Sequence, residues 1–133
     1  MKISAHIAAT LLGLAFISFG LMFLLHMVPD QPPPEGTAAS HFMEAFVPSG
    51  YLTFVKVLEV LGGFLVILPL TRNLGLLLLG PILINILAFH IFILNGAMLL
   101  DPVLILLCLL ALFLLWNGRK AFAGLIYPKI TLK

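Results

Sequence analysis

The chain has 133 residues, of which 62% are hydrophobic and only 9% are Asp, Glu, Lys or Arg. Soluble domains carry about 25% charged residues, so seven basic and five acidic side chains leave too little polar surface to cover a water-facing globule. A mean hydropathy of +1.23 agrees. Soluble enzymes, nucleic-acid binders and disordered tails all need far more charge, and an integral membrane protein remains.

In chain order, the first apolar stretch runs without Asp, Glu, Lys or Arg from Ile3 to Pro29. Its central part, residues 7–27, is long enough to cross roughly 30 Å of hydrocarbon at about 1.5 Å per residue. Lys2 ahead of an apolar run also fits a signal peptide. The run exceeds the usual h-region, however, and His26-Met27-Val28-Pro29 offers no small-residue cleavage site, so a retained span is expected. Further spans are expected at residues 50–70, 74–94 and 102–116. The connections Thr71-Arg72-Asn73 and Asn95 to Asp101 are short, which makes consecutive helices antiparallel neighbours. The expected fold is therefore an all-α membrane protein, a four-transmembrane-helix antiparallel bundle forming one domain over residues 1–133.

Only the connection at residues 28–49 is long. Asp30-Gln31-Pro32-Pro33-Pro34 predicts a stiff polyproline-like arm. After Gly36, Thr37 is placed to cap a short helix with Ala38, Phe42, Met43, Phe46 and Val47 along one side, an interfacial element over the bundle mouth. At the other end, residues 117–133 interleave Phe122, Leu125, Ile126 and Tyr127 with Arg119, Lys120 and Lys129, the pattern of an interfacial anchor on anionic headgroups.

Sorting the charges orients the bundle. With the N-terminus cytoplasmic, Lys2, Arg72, Arg119, Lys120, Lys129 and Lys133 fall inside, and Asp30, Glu35, Glu44 and Asp101 fall outside, as the positive-inside rule requires. Both termini are then cytoplasmic. Lys56 and Glu59 remain, both within the second span. Three residues apart on a helix, they share a face and can pair, which is the usual escape from the cost of a lone intramembrane charge. Gly62 and Gly63 follow about one turn later and permit close helix approach, so this face should point inward.

Counting turns places Glu59 and Asn85 each roughly 14 Å below the outer ends of their spans. They are expected to meet near mid-bilayer, with Lys56, His90 and His26 above them and His41 and Glu44 as a lid. The result is a polar pocket open to the outer side. Its ligand-binding candidates are His26, Lys56, Glu59, Asn85 and His90, with Glu59 and His90 also candidates for catalysis. The alternative is structural: Lys56 and Glu59 fix helix register, and Asn85 and His90 hydrogen-bond across helices. Such a pocket suits an amphipathic molecule with a carbonyl or phenol head. Glu59 or His90 would exchange a proton, Lys56 would stabilise an oxyanion, and Phe54, Phe64, Phe89 and Phe92 would flank a ring. No metal is expected from His26, His41, His90 and Glu44 or Glu59, which lack a ligand-spacing motif, and no haem motif supports bis-His ligation. His6, at the inner end, has no assigned role. Cys108 is the single cysteine and forms neither an internal disulfide nor a CxxC pair.

Three segments carry a family resemblance: Gly20-x-x-Phe23-x-x-His26-x-x-Pro29 with its proline-rich sequel; Gly50-Tyr51 followed by Lys56-x-x-Glu59-x-x-Gly62-Gly63; and Pro81-x-x-x-Asn85-x-x-x-x-His90. Together they resemble the DoxX family of small four-helix membrane proteins over residues 7–93, the Glu-x-x-Gly-Gly segment being the most specific. The resemblance implies a bacterial inner-membrane protein with a quinone-linked redox role, as quinone is the cofactor associated with such systems. It is a fold-level analogy. The single cysteine sets the chain apart from four-helix quinone reductases that use disulfides, so electrons would come from a partner.

Three functions stay open. One is an auxiliary or quinone-binding component of a membrane oxidoreductase, which would be its partner together with the lipid bilayer. Another is a non-catalytic assembly factor or chaperone. A small transporter ranks last, since four short helices leave little room unless the chain forms a homo-oligomer.

Overall fold

Ala5, Ala8, Ala9, Leu12, Gly13, Phe16, Ile17 and Gly20 recur every three to four residues, and in the computed structural model they form the buried stripe of α1 (Lys2–Leu24). The structure describes residues 2–127; Lys129 and Lys133 lie outside the described residues. Five further helices follow: α2 (Ala38–Phe46), α3 (Tyr51–Ile67), α4 (Arg72–Ala88), α5 (Pro102–Asn117) and α6 (Arg119–Ile126). A π-helical turn, Phe89–Ile93, extends α4. No strand occurs among the described residues.

Small residues set how closely α1, α3 and α4 approach. A Cβ on Gly63 would stand 2.7 Å from the Gly13 carbonyl oxygen, and one on Gly20 would stand 3.1 Å from the Lys56 carbonyl oxygen. Residues 13 and 20 therefore face 63 and 56 respectively, so α1 and α3 run antiparallel with their backbones nearly touching. On the other side of α3, a Cβ on Gly62 would meet Leu79 and one on Gly75 would meet Val66, which makes α3 and α4 antiparallel as well. Helix α5 packs on α1 and, less extensively, on α4. Leu12, Phe16, Val66 and Leu114 are the largest fully buried side chains and mark the core these helices share.

Among the described residues two helices are long and apolar enough to cross a membrane, Lys2–Leu24 and the 22-residue Arg72–Ile93; counting each bent pair as one span gives up to four. The pairs are α2 with α3, bent by 82°, and α5 with α6, bent by 72°. Alone, α3 with 17 residues and α5 with 16 reach only about 25 Å, which is short of the roughly 30 Å hydrocarbon thickness. The second and fourth apolar stretches are thus each broken by a sharp bend, and each counts as a span only when its two helices are taken together. Gly50 (φ +81°) makes the first turn: it sits directly before Tyr51 in the left-handed region, where a side chain would be strained.

The connections are held by side chains. Thr37 caps α2, its hydroxyl accepting from Ser40 N at 3.2 Å, and Asp101 caps α5 by accepting from Val103 N at 2.9 Å and Leu104 N at 3.2 Å. Between α3 and α4, Thr71 donates to the Leu65 carbonyl and Arg72 Nε to the Val66 carbonyl. Arg72 Nη2 also lies 3.0 Å from His6 Nδ1, giving His6 a structural partner 66 positions away. Gly118 abuts Asn73, so the start of α6 lies beside the start of α4. Lys2, Arg72, Arg119 and Lys120 consequently share one end of the helix array. Asp30, Glu35, Glu44 and Asp101 lie on the connections at the other.

Candidate functional site

At the acidic end the four long helices leave a cleft of about 430 Å³. Phe16 and Phe19 of α1, Lys56 and Glu59 of α3, Ile86 of α4, His90 of the π-helical turn, Met98 and Asp101 of the following connection, and Val103, Leu104 and Leu107 of α5 line it. Its walls are mostly apolar, with four polar groups converging on one space.

Lys56 and Glu59 form its base. The ammonium lies 3.2 Å from one carboxylate oxygen and 3.1 Å from the other, so both oxygens accept from the same cation. Glu59 is 3% exposed, while the Lys56 side chain keeps 21% of its surface accessible. A carboxylate that deep requires compensation, and the fork-like approach of Lys56 supplies it. The ring of Phe23, 5.9 Å from Lys56 Nζ, adds its negative π face on a further side. No side-chain nitrogen or oxygen buried among the described residues lacks a hydrogen-bond partner.

His90 enters through the π-helical turn. Its Nδ1 lies 2.7 Å from the Ile86 carbonyl oxygen. A carbonyl only accepts, so Nδ1 carries the hydrogen, which in a neutral imidazole leaves Nε2 as an acceptor. π-Helical turns inserted in α-helices recur at functional sites, where the extra residue redirects a side chain. Across the cleft, Asp101 has Oδ1 engaged in capping α5. Met98, also on the rim, holds a left-handed backbone (φ 60°), close after Asn95 (φ 53°) and Gly96 (φ +84°). Glycine and asparagine take up that conformation readily but methionine does not, so the connection is constrained at Met98.

Of the residues expected at the pocket, the structure brings Lys56, Glu59 and His90 together. Asn85 does not meet Glu59: it is exposed, its amide donates back to the Pro81 carbonyl at 3.1 Å, and it lies outside the cleft lining. Equal depth did not mean equal direction, because Asn85 sits on another side of α4 from buried Ile82 and Leu83. His26 is exposed beyond the end of α1, with φ 54° and its backbone N–H bonded to the Phe23 carbonyl, and it too is outside the lining.

The expected lid residues behave similarly. His41 and Glu44 are 3.7 Å apart on α2, with side chains 68% and 70% exposed, and neither lines the cleft. Helix α2 docks instead through Phe42, whose ring stands 4.8 Å from that of Phe89, next to His90. Of the expected phenylalanines, Phe89 stands beside His90 with ring centroids 5.8 Å apart, whereas Phe54, Phe64 and Phe92 are largely exposed and leave the flanks of the cleft to other rings. Phe16 and Phe19 take that place. The small-residue stripe of α1 was the signal for Phe16, and the capping pair Asp101-Pro102 was the signal that a carboxylate begins α5 beside the site.

No group of three or more His, Cys, Asp or Glu among the described residues is placed to hold a metal ion. In comparisons with known proteins, no family model matches the chain and no solved structure matches it. An uncharacterized protein of Bacillus subtilis (strain 168), YwoB, is 31% identical over 98 residues, which cover 71% of this chain and 62% of YwoB. The chain is therefore matched over less than two thirds of that relative's length.

Proposed function

We propose that the chain is a DoxX-like bacterial inner-membrane protein, a four-span antiparallel bundle with both termini cytoplasmic, and that its cleft holds the head of a small amphiphile such as a quinone. The observation that carries this reading is the buried Lys56–Glu59 pair sharing an apolar-walled cleft with His90 and Asp101. The donor set suits a carbonyl or phenol head: Lys56 donates, Glu59 and His90 Nε2 accept, and Phe16 and Phe19 offer ring faces. A bound quinone would supply two-electron redox chemistry. This chain's residues would orient its head and hold a proton at Glu59 or at His90 Nε2. With the lone Cys108 as its only thiol, the protein would act as an auxiliary subunit of a membrane oxidoreductase that delivers the electrons.

Gentle purification followed by mass analysis of the lipid extract tests this. Quinone should be retained by the wild type and lost in Glu59→Gln and His90→Ala, with helical content unchanged. Equal retention by both variants, or no quinone in the wild type, refutes it. A second reading, a non-catalytic assembly factor with structural polar residues, is favoured by one observation: the Lys56–Glu59 pair satisfies itself within α3. A stoichiometric membrane partner that co-purifies unchanged with both variants would support that reading.

A further inference from the structure

Among the described residues, the charge separation leaves the cations at one end without a carboxylate beside them. Among the described residues the ion pairs are Lys56 with Glu59 and His41 with Glu44. Arg72, Arg119 and Lys120 have no carboxylate partner among them, because the acidic side chains lie at the opposite end or in the cleft. Arg72 spends two donors on the Val66 carbonyl and His6, and Arg119 spends one on the Trp116 carbonyl at 2.9 Å. Both guanidinium groups keep further N–H donors.

Helix α6 places these cations beside a large apolar surface. It turns 72° away from α5, so with α5 along a membrane normal it runs nearly parallel to the membrane plane. At about 100° per residue, Ala121, Phe122, Leu125 and Ile126 fall on one arc, and Arg119, Lys120, Ala123 and Gly124 on the other. Phe122 packs against the core, while Leu125 (65%) and Ile126 (72%) are left exposed. Trp116, 68% exposed at the bend, lies with its ring 4.4 Å from the Arg119 guanidinium carbon. A basic arc, an apolar arc and an aromatic residue at the bend suit the boundary between headgroups and acyl chains.

We infer that α6, with Arg72 beside it, is a docking surface for anionic phospholipid: Arg119 and Lys120 contact headgroup phosphates while Leu125 and Ile126 enter the acyl region below. Positive charge without an internal partner is complementary to the anionic surface of a leaflet. The inference rests on the membrane-spanning reading and is independent of what the cleft holds.

Trp116 is the single tryptophan and reports on this surface. The full chain is reconstituted in mixed phosphatidylcholine and phosphatidylglycerol vesicles, with bromine on the acyl chains of one lipid or the other. At equal mole fraction, brominated phosphatidylglycerol should quench Trp116 more strongly. The local enrichment should fall about fivefold for each cation removed in Arg119→Gln and Lys120→Gln, survive in Arg119→Lys with Lys120→Arg, and shrink as added salt screens the wild type. Equal quenching by the two lipids in the wild type, or full enrichment in the doubly neutralised variant, overturns the inference. Co-flotation with the vesicles reports insertion separately, so failure of the membrane reading is distinguishable. Near-UV circular dichroism identifies a variant that has misfolded.

Discussion

Replacing Lys56 by Met would leave the Glu59 carboxylate, 3% exposed, without its cation. At a separation of 3.1 Å and an effective dielectric near 20, the attraction amounts to about 5 kcal/mol. Most of that offsets the desolvation of two ions, so the whole pair contributes much less to stability than its attraction suggests. Removing one partner is a different perturbation, because the other ion's desolvation is no longer compensated, and the expected loss is about 3–5 kcal/mol. Lys56→Met and Glu59→Leu should each destabilise the protein, Lys56→Met more strongly. The double variant should return to within about 1 kcal/mol of the wild type, or exceed it, because apolar replacements for a buried pair are often neutral or better. Unfolding in mixed micelles by titrated dodecyl sulfate, followed by circular dichroism, measures all four corners of this cycle. A Lys56→Met protein as stable as wild type, or a double variant losing the sum of the two single losses, would refute the reasoning.

Three further predictions concern the frame around the site. Gly63→Ala would drive a methyl group to 2.7 Å from the Gly13 carbonyl oxygen and 2.8 Å from Ile17; backbone must move, and a loss of about 1–3 kcal/mol is expected in the same assay. Gly80→Ala, where nothing lies within 4 Å, should instead be neutral or gain about 0.5–1 kcal/mol from helix propensity. Asp101→Ala removes the acceptor for Val103 N and Leu104 N and should cost about 1 kcal/mol, with faster amide exchange confined to the first turn of α5; Asp101→Asn should keep most of that protection.

Local features were readable from the sequence because local spacing determines them. Thr37 before an apolar face predicted the cap of α2, and Lys56 with Glu59 predicted a pair one turn apart. Gly62 and Gly63 predicted close approach, since an absent side chain matters only where something presses against it. Azimuth was harder. A helix apolar on all sides carries no amphipathic stripe to say which face turns inward, so counting turns could not show that Asn85 points away from Glu59. For the same reason Phe54, Phe64 and Phe92 were indistinguishable from Phe16 and Phe19, and only packing separated them. The π-helical turn that carries His90 has no clear signature in the sequence. The contact of His6 with Arg72 joins residues that only the antiparallel array brings together.

The backbone contact between Gly13 and Gly63 also bears on how the cleft changes shape. Two helices touching through main chain have no side-chain rotamers to take up a displacement, so α1 and α3 behave as one stiff plate carrying Phe16, Phe19, Lys56 and Glu59. Helix α5 packs on α4 less extensively and is tethered through the left-handed connection around Asn95, Gly96 and Met98. Any widening that admits a molecule would therefore fall to α5, which packs on that plate less closely than α1 and α3 pack on each other, and the wall bearing Asp101, Leu104 and Leu107 would be the one to move.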